Sequence, residues 1–272
     1  MFKSILAISE GGPEAVMAFG LAARIATMFR GTVDAVHFSE TQSGDADIAA
    51  QAMPFLKRLT DDRLKARARE SERAYWDLIA PLTGTTFAGG RGVTREQLIR
   101  MGRYAELLLL GRPGADAENI APATVYAALH ECACPVMIAP PSPDTHPMTS
   151  VVVAWNGSAP AARAAGFALP LLEKAREVTI VVAGAAPDDV GTSHLLRTLD
   201  RHGVAATVET IDPGAVSGRA RGRALLDYTR ARGAGLLVMG AYGHGGMSTF
   251  LGLGGATAKV ISSCPVPLLL AH

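Results

Sequence analysis

Short apolar runs alternate with amphipathic helical patterns along the whole chain. Between the runs, apolar residues recur every three or four positions, as in Ala164, Ala168 and Leu171, which is the spacing of one helix face. Buried strands separated by helices are typical of a parallel sheet covered on both faces, so we predict a doubly wound α/β fold. The runs predicted as strands are Ser4–Ser9, Thr32–His37, Leu107–Leu110, Val136–Ala139, Val151–Trp155, Val178–Ala183, Ala206–Ile211, Leu236–Met239 and Val266–Leu270.

The chain also repeats itself. A strand, a GxxG turn, a helix and a Cys-Pro-Val strand start occur twice, with 23 positions from Gly111 to Cys134 and 24 from Gly240 to Cys264. A pattern that recurs at nearly fixed spacing indicates two copies of one domain. We therefore predict two α/β domains, 1–141 and 149–272, each with a five-stranded parallel sheet. Repeated prolines between positions 140 and 147 favour an extended connector at the boundary.

Charge and composition exclude several classes of partner. The 272 residues include 26 Lys+Arg and 25 Asp+Glu, so the chain lacks the basic excess that nucleic acid or an anionic membrane demands. The polar stretch 57–73 mixes both signs, and we interpret it, like the arginines between 219 and 232, as a solvated helix face. Three cysteines form no disulfide framework, and no signal peptide or membrane span is evident. We expect a cytoplasmic protein without nucleic-acid or membrane partners.

The segment from Gly240 to Thr257 is the richest in glycine. Glycines leave backbone N–H groups accessible and permit positive φ, as an anion-binding loop requires. Gly254-Gly255-Ala256-Thr257 then begins a short helix, whose free N–H groups favour phosphate. The segment follows the carboxyl end of a strand, where ligands bind in open parallel sheets, but it is neither a P-loop nor a Rossmann fingerprint. The alternative is a loop that is rich in glycine for mobility alone.

Together these motifs resemble the universal stress protein family in its tandem two-domain form. The resemblance is carried by Gly240-x-x-Gly243, a spacer, Gly-Gly-Ala-Thr257 and Cys264-Pro-Val266, preceded by Val152-Val-Ala-Trp155-Asn-Gly-Ser158. It implies an adenine nucleotide, ATP, ADP or AMP, accompanied by Mg²⁺ on its phosphates, and a regulatory role in the stress response. The site residues that it implies are Ala154, Asn156, Val182, Met239, Gly240, Gly243, His244, Gly254, Gly255, Ala256 and Thr257.

The resemblance also implies a role for each part of this site. Ala154, Asn156 and Val182 would flank the adenine and ribose. Gly240 and Gly243 would let the chain pass close to the ribose and phosphates, and residues 254–257 would give the phosphates backbone N–H groups and a hydroxyl. The sequence departs from the family pattern in two places: ten residues rather than nine separate Gly243 from Gly254, and Asn156 stands where members often have Asp. Asn156 also has the alternative of a simple turn, with Ser158 capping the next helix. His244 would contact a phosphate, with a solvated position in the loop as the alternative.

The first copy is expected to be a structural partner with a degenerate pocket. It keeps Gly111 and Gly114 but loses the later glycine pair, and Asp116 and Glu118 would repel phosphate. No catalytic motif is present, so any hydrolysis should be slow. The alternatives are a slow ATP hydrolase or transferase and a nucleotide-free interaction module. The two copies would pair as a pseudo-dimer within one chain, which leaves both a monomer and a homodimer open.

Overall fold

The computed structural model describes residues 1–39, 54–114, 119–142, 148–214, 217–242 and 255–272, without the side chains of residues 54–61 and Arg91. The chain divides into two compact units, Met1–Cys134 and Pro135–His272. Each unit is a sheet flanked by helices, as the alternating apolar pattern predicts, so the α/β prediction is confirmed.

The described part of the first unit contains four parallel strands in the order β3-β2-β1-β4. Its elements are β1 (Ser4–Ser9), α1 (Pro13–Phe29), β2 (Thr32–Phe38), α2 (Pro54–Leu78), β3 (Thr86–Val93), α3 (Arg95–Gly102), β4 (Leu107–Leu110) and α4 (Pro122–Glu131). All four leucines of β4 are completely buried, because a central strand covered on both faces exposes neither side to water.

Six strands lie in the described residues of the second unit, in the order β5-β10-β9-β6-β7-β8. Its elements are β5 (Val136–Ile138), β6 (Ser150–Trp155), α5 (Ala159–Leu172), β7 (Glu177–Ala183), a 3₁₀ turn (Asp188–Val190), α6 (Thr192–Arg201), β8 (Thr207–Ile211), α7 (Gly218–Ala231), β9 (Leu236–Gly240), α8 (Ala256–Ser263) and β10 (Leu268–Ala271). Strands β6 to β10 pair in parallel, and β5 runs antiparallel to β10.

The β5–β10 pair changes the strand count of each unit. Each repeat contributes five strands to the described structure, β1 to β5 and β6 to β10, as predicted. The compact units divide differently, because β5, the last strand of the first repeat, hydrogen-bonds to β10 and belongs to the second unit. The division between the units therefore falls before the proline-rich connector. Pairing of this kind covers an edge that would otherwise present unpaired N–H and C=O groups.

Strand β3 is absent from the sequence prediction. Its residues include Gly89, Gly90 and Gly92, and the register between β2 and β3 shifts near its end. Gly90 and Gly92 both adopt positive φ. Glycines in a strand mark such irregularities and remove the apolar alternation that would identify it.

Helix α2 has the solvated, charged face that the sequence predicts, and it also has a buried face. One face carries the charges, but Ala68, Ser71, Ala74 and Tyr75 are buried in the first unit. These buried residues form a stripe of small and aromatic side chains at helical spacing, and the charged residues between them obscure this pattern in the sequence.

Candidate functional site

A cavity of about 380 Å³ opens at the carboxyl ends of β6, β7 and β9 in the second unit. Helix α7 and the first turn of α8 complete its lining. Seven of the residues predicted from the sequence line this cavity: Ala154, Asn156, Met239, Gly240, Gly255, Ala256 and Thr257. The strand ends and the two described ends of the glycine-rich segment therefore meet at one place, where parallel α/β sheets bind ligands.

One predicted residue lies elsewhere. Val182 is buried and does not line the cavity, whereas its neighbours Val181 and Ala183 do. Successive side chains of a strand point to opposite faces, so the prediction selected the wrong face of β7. Gly243, His244 and Gly254 lie outside the described residues.

The end of β6 forms a turn on Asn156. The Oδ1 atom of Asn156 accepts a hydrogen bond from the Ser158 N–H at 3.1 Å, and Gly157 adopts φ +70°. The Ser158 hydroxyl in turn caps α5 by accepting from the Ala161 N–H. Asn156 therefore takes part in a turn and also lines the cavity, so the two interpretations of this residue coexist.

Trp155 holds one wall of the cavity in place. Its indole N–H donates to the carbonyl oxygen of Val190 at 2.8 Å, and both residues line the cavity. A Cβ placed on Gly157 would lie 3.0 Å from the same carbonyl oxygen. The 3₁₀ turn after β7 is thus fixed against the end of β6, and sequence reasoning had assigned Trp155 no role.

Helix α8 presents its first turn to the cavity. Its N-cap is Gly255, which has no side chain with which to cap the helix, and Gly255, Ala256, Thr257 and Ala258 all line the cavity. The first N–H groups of a helix have no partner within the helix and carry its positive dipole end. An anion is the ligand that satisfies both features.

The Thr257 hydroxyl links this turn to the strand before it. Thr257 is buried, and its Oγ1 accepts a hydrogen bond from the Tyr242 N–H at 3.3 Å. Tyr242 adopts φ +58°, a left-handed conformation that is uncommon outside glycine. A hydroxyl that accepts one bond still has a proton to donate, so Thr257 is able to support the turn and to contact a ligand.

Gly240 is required by packing. A Cβ at this position would lie 2.4 Å from the Ala161 nitrogen and 2.6 Å from the Pro160 carbonyl carbon. The family resemblance explains this glycine by close approach of the chain to a ligand. The structure shows that the start of α5 already occupies the space where a side chain would project.

Glycines also bring α7 against α8. A Cβ on Gly218 would lie 3.0 Å from the Ala256 nitrogen, and one on Gly222 would lie 2.8 Å from the Ala256 oxygen. The close approach places Arg221 and Leu225 of α7 in the cavity lining. Arg221 had been interpreted as part of a solvated face, and this interpretation is wrong.

The universal stress protein family model matches residues 1–140 and 148–272. The chain belongs to this family. Its two matched segments correspond to the two repeats, which confirms the tandem form predicted from the motifs.

Two solved structures of low sequence identity share the fold. A universal stress protein from Archaeoglobus fulgidus aligns over 99% of this chain and 98% of its own, with a TM-score of 0.66 and 17% identity. A protein of unknown function from Pseudomonas aeruginosa aligns over 99% and 92%, with a TM-score of 0.55 and 13% identity. A universal stress protein solved in complex with cAMP aligns over 46% of this chain and 96% of its own, with a TM-score of 0.38 and 22% identity. No curated protein matches the chain.

In the first repeat, a carboxylate contacts the start of α4, the helix that corresponds to α8 in the second repeat. Glu10 follows β1 as Asn156 follows β6, and its carboxylate accepts hydrogen bonds from the N–H of Ala121 and the hydroxyl of Thr124. These two groups belong to the N-cap and first turn of α4. An acidic side chain of the protein itself therefore satisfies the helix terminus that would otherwise attract an external anion.

Helix α2 adds a buried polar network at the same end of the first sheet. Ser71 shares a hydrogen bond with Ser9 at 3.0 Å and another with Nδ1 of His37 at 2.9 Å. Ser9 also donates to Glu14 Oε1 at 2.9 Å. All four side chains are at most 4% exposed. The ends of β1 and β2 are thus occupied by side chains of the first unit.

Burial shifts the pKa values of the two titratable groups of this network in opposite directions. It raises the pKa of Glu14 from 4.5 to about 7, against the hydrogen bonds from Ser9 and the Glu10 N–H, which lower it. It lowers the pKa of His37 from 6.5 to about 4, and the positive charge of Arg67 adds to this effect. Both shifts favour the neutral form of the buried group.

The cysteines are held as thiols by their surroundings. Burial raises the pKa of Cys132 and Cys264 to about 11 and that of Cys134 to about 12. A thiol with a raised pKa is a poor nucleophile and a poor metal ligand at neutral pH. These values favour a packing role for the cysteines over metal binding or redox chemistry.

The described part of the chain contains neither a membrane-spanning helix nor a metal-binding cluster. No helix there combines the length and apolar character that crossing a bilayer requires. Nor do the described side chains include a group of three or more His, Cys, Asp or Glu residues placed to hold a metal ion.

Proposed function

We propose that the second repeat binds one adenine nucleotide and that the protein acts as a nucleotide-dependent regulator in the stress response. The observation that carries the proposal is the first turn of α8, whose N-cap Gly255 has no side chain to cap it and which lines a cavity bordered by three strand ends. A cavity of about 380 Å³ lies within the range of about 300–1,000 Å³ that is usual for small-molecule sites. Family membership agrees with this proposal.

The residues of the cavity fit the parts of a nucleotide. The α8 N-terminus and the Thr257 hydroxyl suit phosphate oxygens, and the apolar side chains of Ala154, Val181 and Met239 suit a flat base. Asn156 offers an amide to ribose hydroxyls. Mg²⁺ would accompany the phosphates, whose oxygens are ligands that it prefers.

The first repeat is proposed to bind no phosphate at the equivalent place. Glu10 already accepts the hydrogen bonds of Ala121 and Thr124, and a second anion there would meet its negative charge. This contrast between the repeats leads us to expect one nucleotide per chain.

Mass spectrometry of small molecules released from freshly purified protein, followed by titration calorimetry, tests the proposal. We expect an adenine nucleotide and one site per chain. The absence of binding would refute the function, and two equivalent sites would refute the asymmetry between the repeats.

A matched pair of threonine variants locates the site. Thr257→Val removes a hydroxyl from the first turn of α8 and should weaken nucleotide binding about 5- to 10-fold, the effect of about one lost hydrogen bond. Thr124→Val removes a hydroxyl from the first turn of α4 and should leave the affinity unchanged. The opposite result would move the site to the first unit.

A further inference from the structure

Arg221 occupies a distinctive position in the cavity of the second unit. It lies in the first turns of α7, three residues after Gly218, and it lines the cavity with Leu225 one turn further on. Three residues advance about 4.5 Å along a helix axis. Because Gly218 contacts the start of α8 at Gly255 and Ala256, Arg221 projects from a backbone that lies beside the proposed phosphate position.

The guanidinium is held close to the end of β7. Its Nε atom lies 3.7 Å from the point where a Cβ of Gly184 would be, and Gly184 has φ +70° and also lines the cavity. A side chain at Gly184 would also approach Pro213, at 3.2 Å from its Cγ. The residue after β7 therefore leaves room for the arginine side chain to reach the cavity.

The Nε atom of Arg221 is buried and, among the described residues, has no hydrogen-bond partner. A buried donor of a charged group that is left without an acceptor is costly, and a ligand oxygen would remove that cost. Arg221 also carries the one full charge among the described lining residues. Two helix N-termini, those of α7 and α8, add positive potential to the same cavity.

We propose that Arg221 binds a phosphate group of the ligand in this cavity, together with the first turn of α8. The inference rests on the function proposed above and adds the residue that distinguishes phosphorylated from unphosphorylated ligands. A guanidinium presents parallel N–H groups that match two oxygens of one phosphate.

The first repeat has no arginine at the corresponding position. Counted from the N-cap, Arg221 is the fourth residue of its helix after Ser217, and the fourth residue after Thr94 in α3 is Leu98. Leu98 is completely buried. The repeat in which Glu10 occupies the helix start therefore also lacks this positive charge, as expected if Arg221 serves a phosphate.

Titration calorimetry with adenosine, AMP, ADP and ATP tests the proposal on the full chain. Arg221→Gln should weaken binding of at least one phosphorylated ligand about 10- to 100-fold, the effect of losing charge-assisted hydrogen bonds, and should leave adenosine unchanged. Arg221→Lys keeps the charge without the planar pair of donors and should fall between the parent and Arg221→Gln. The matched control is Arg223→Gln, which makes the same change on the exposed side of α7 and should bind as the parent does.

Three results would overturn the proposal. The first is equal affinity of the parent and Arg221→Gln for every ligand. The second is an equal loss of affinity for adenosine, which would place Arg221 against the base or ribose. The third is a melting temperature of ligand-free Arg221→Gln well below that of Arg223→Gln, which would make the role structural. Inorganic pyrophosphate separates this inference from the proposed function. If the parent binds no adenine nucleotide but pyrophosphate raises its melting temperature and not that of Arg221→Gln, the function fails and the phosphate contact stands. If pyrophosphate has no effect either, both fail.

Discussion

The buried network of the first unit predicts two pH dependences that oppose each other. Glu14 and His37 are joined through Ser9 and Ser71, and both are almost completely buried. We expect Glu14→Gln and His37→Asn to change the slope of unfolding free energy against pH in opposite directions. Gln retains the oxygen that accepts from Ser9, and Asn retains a polar atom near Ser71.

The signs follow from the two pKa shifts. The pKa of Glu14 rises from 4.5 to about 7 on folding, so its stabilising effect is complete below pH 4.5 and is lost as the pH rises to 7. The pKa of His37 falls from 6.5 to about 4, so its stabilising effect is complete above pH 6.5 and is lost as the pH falls to 4. Each shift corresponds to about 3 kcal/mol, and between pH 4.5 and 6.5 the two effects nearly cancel.

Each substitution should expose the effect of the other group. In Glu14→Gln, the free energy of unfolding of the first unit should fall by about 3 kcal/mol between pH 6.5 and 4.5, relative to the parent. In His37→Asn it should rise by about the same amount over that interval. Substitution itself shifts each curve as a whole, so the slopes carry the comparison.

Urea denaturation at a series of pH values measures these slopes. The chain has two tryptophans, Trp76 and Trp155, one in each unit. In a Trp155→Phe background, the fluorescence of Trp76 reports the first unit. Glu96→Gln, on the exposed side of α3, is the control for removal of a carboxylate. Slopes in Glu14→Gln and His37→Asn that both parallel the parent would refute the burial argument.

Three further predictions concern the second unit. Gly255→Val should abolish nucleotide binding in calorimetry while the circular dichroism spectrum is retained, because the side chain would project at the uncapped start of α8; binding equal to the parent would contradict the site. Asn156→Asp should raise affinity for adenosine about fivefold, since a carboxylate accepts stronger hydrogen bonds and still accepts from Ser158; an unchanged affinity for every nucleotide and for adenosine would place residue 156 outside the site. Gly240→Ala should destabilise the protein by about 1–3 kcal/mol in thermal unfolding, because its Cβ would overlap the start of α5. Gly166→Ala, whose Cβ meets no atom within 4 Å, should not destabilise it. Equal melting temperatures of the two variants would show that α5 moves to accommodate the Cβ without loss of stability.

The strands and the repeat were predictable because they depend on near neighbours in sequence. Apolar runs such as Leu107–Leu110 and Leu236–Met239 are buried whatever the remainder of the chain does, and the structure places β4 and β9 there. The strand that was missed, β3, is interrupted by glycines. The hydrophobic pattern identifies only strands whose side chains carry it.

The site was predictable as far as its local motif extends. Gly255, Ala256 and Thr257 begin a helix at the expected place, because a helix start is set by its first few residues. The choice of Val182 over Val181 and Ala183 depended on which face of β7 meets the cavity, and that face is decided by the helices packed on the sheet.

By itself, the sequence determined the fold class, the two copies and the helix start after Gly255, since each depends on spacings of a few residues. Tertiary structure alone decided the rest. Glu10 reaches a helix start 111 positions away, and β5 pairs with β10. Arg221 enters the cavity because Gly218 and Gly222 let α7 approach α8. Such contacts depend on how whole elements pack. An arginine in the sequence does not indicate which face of its helix will be covered.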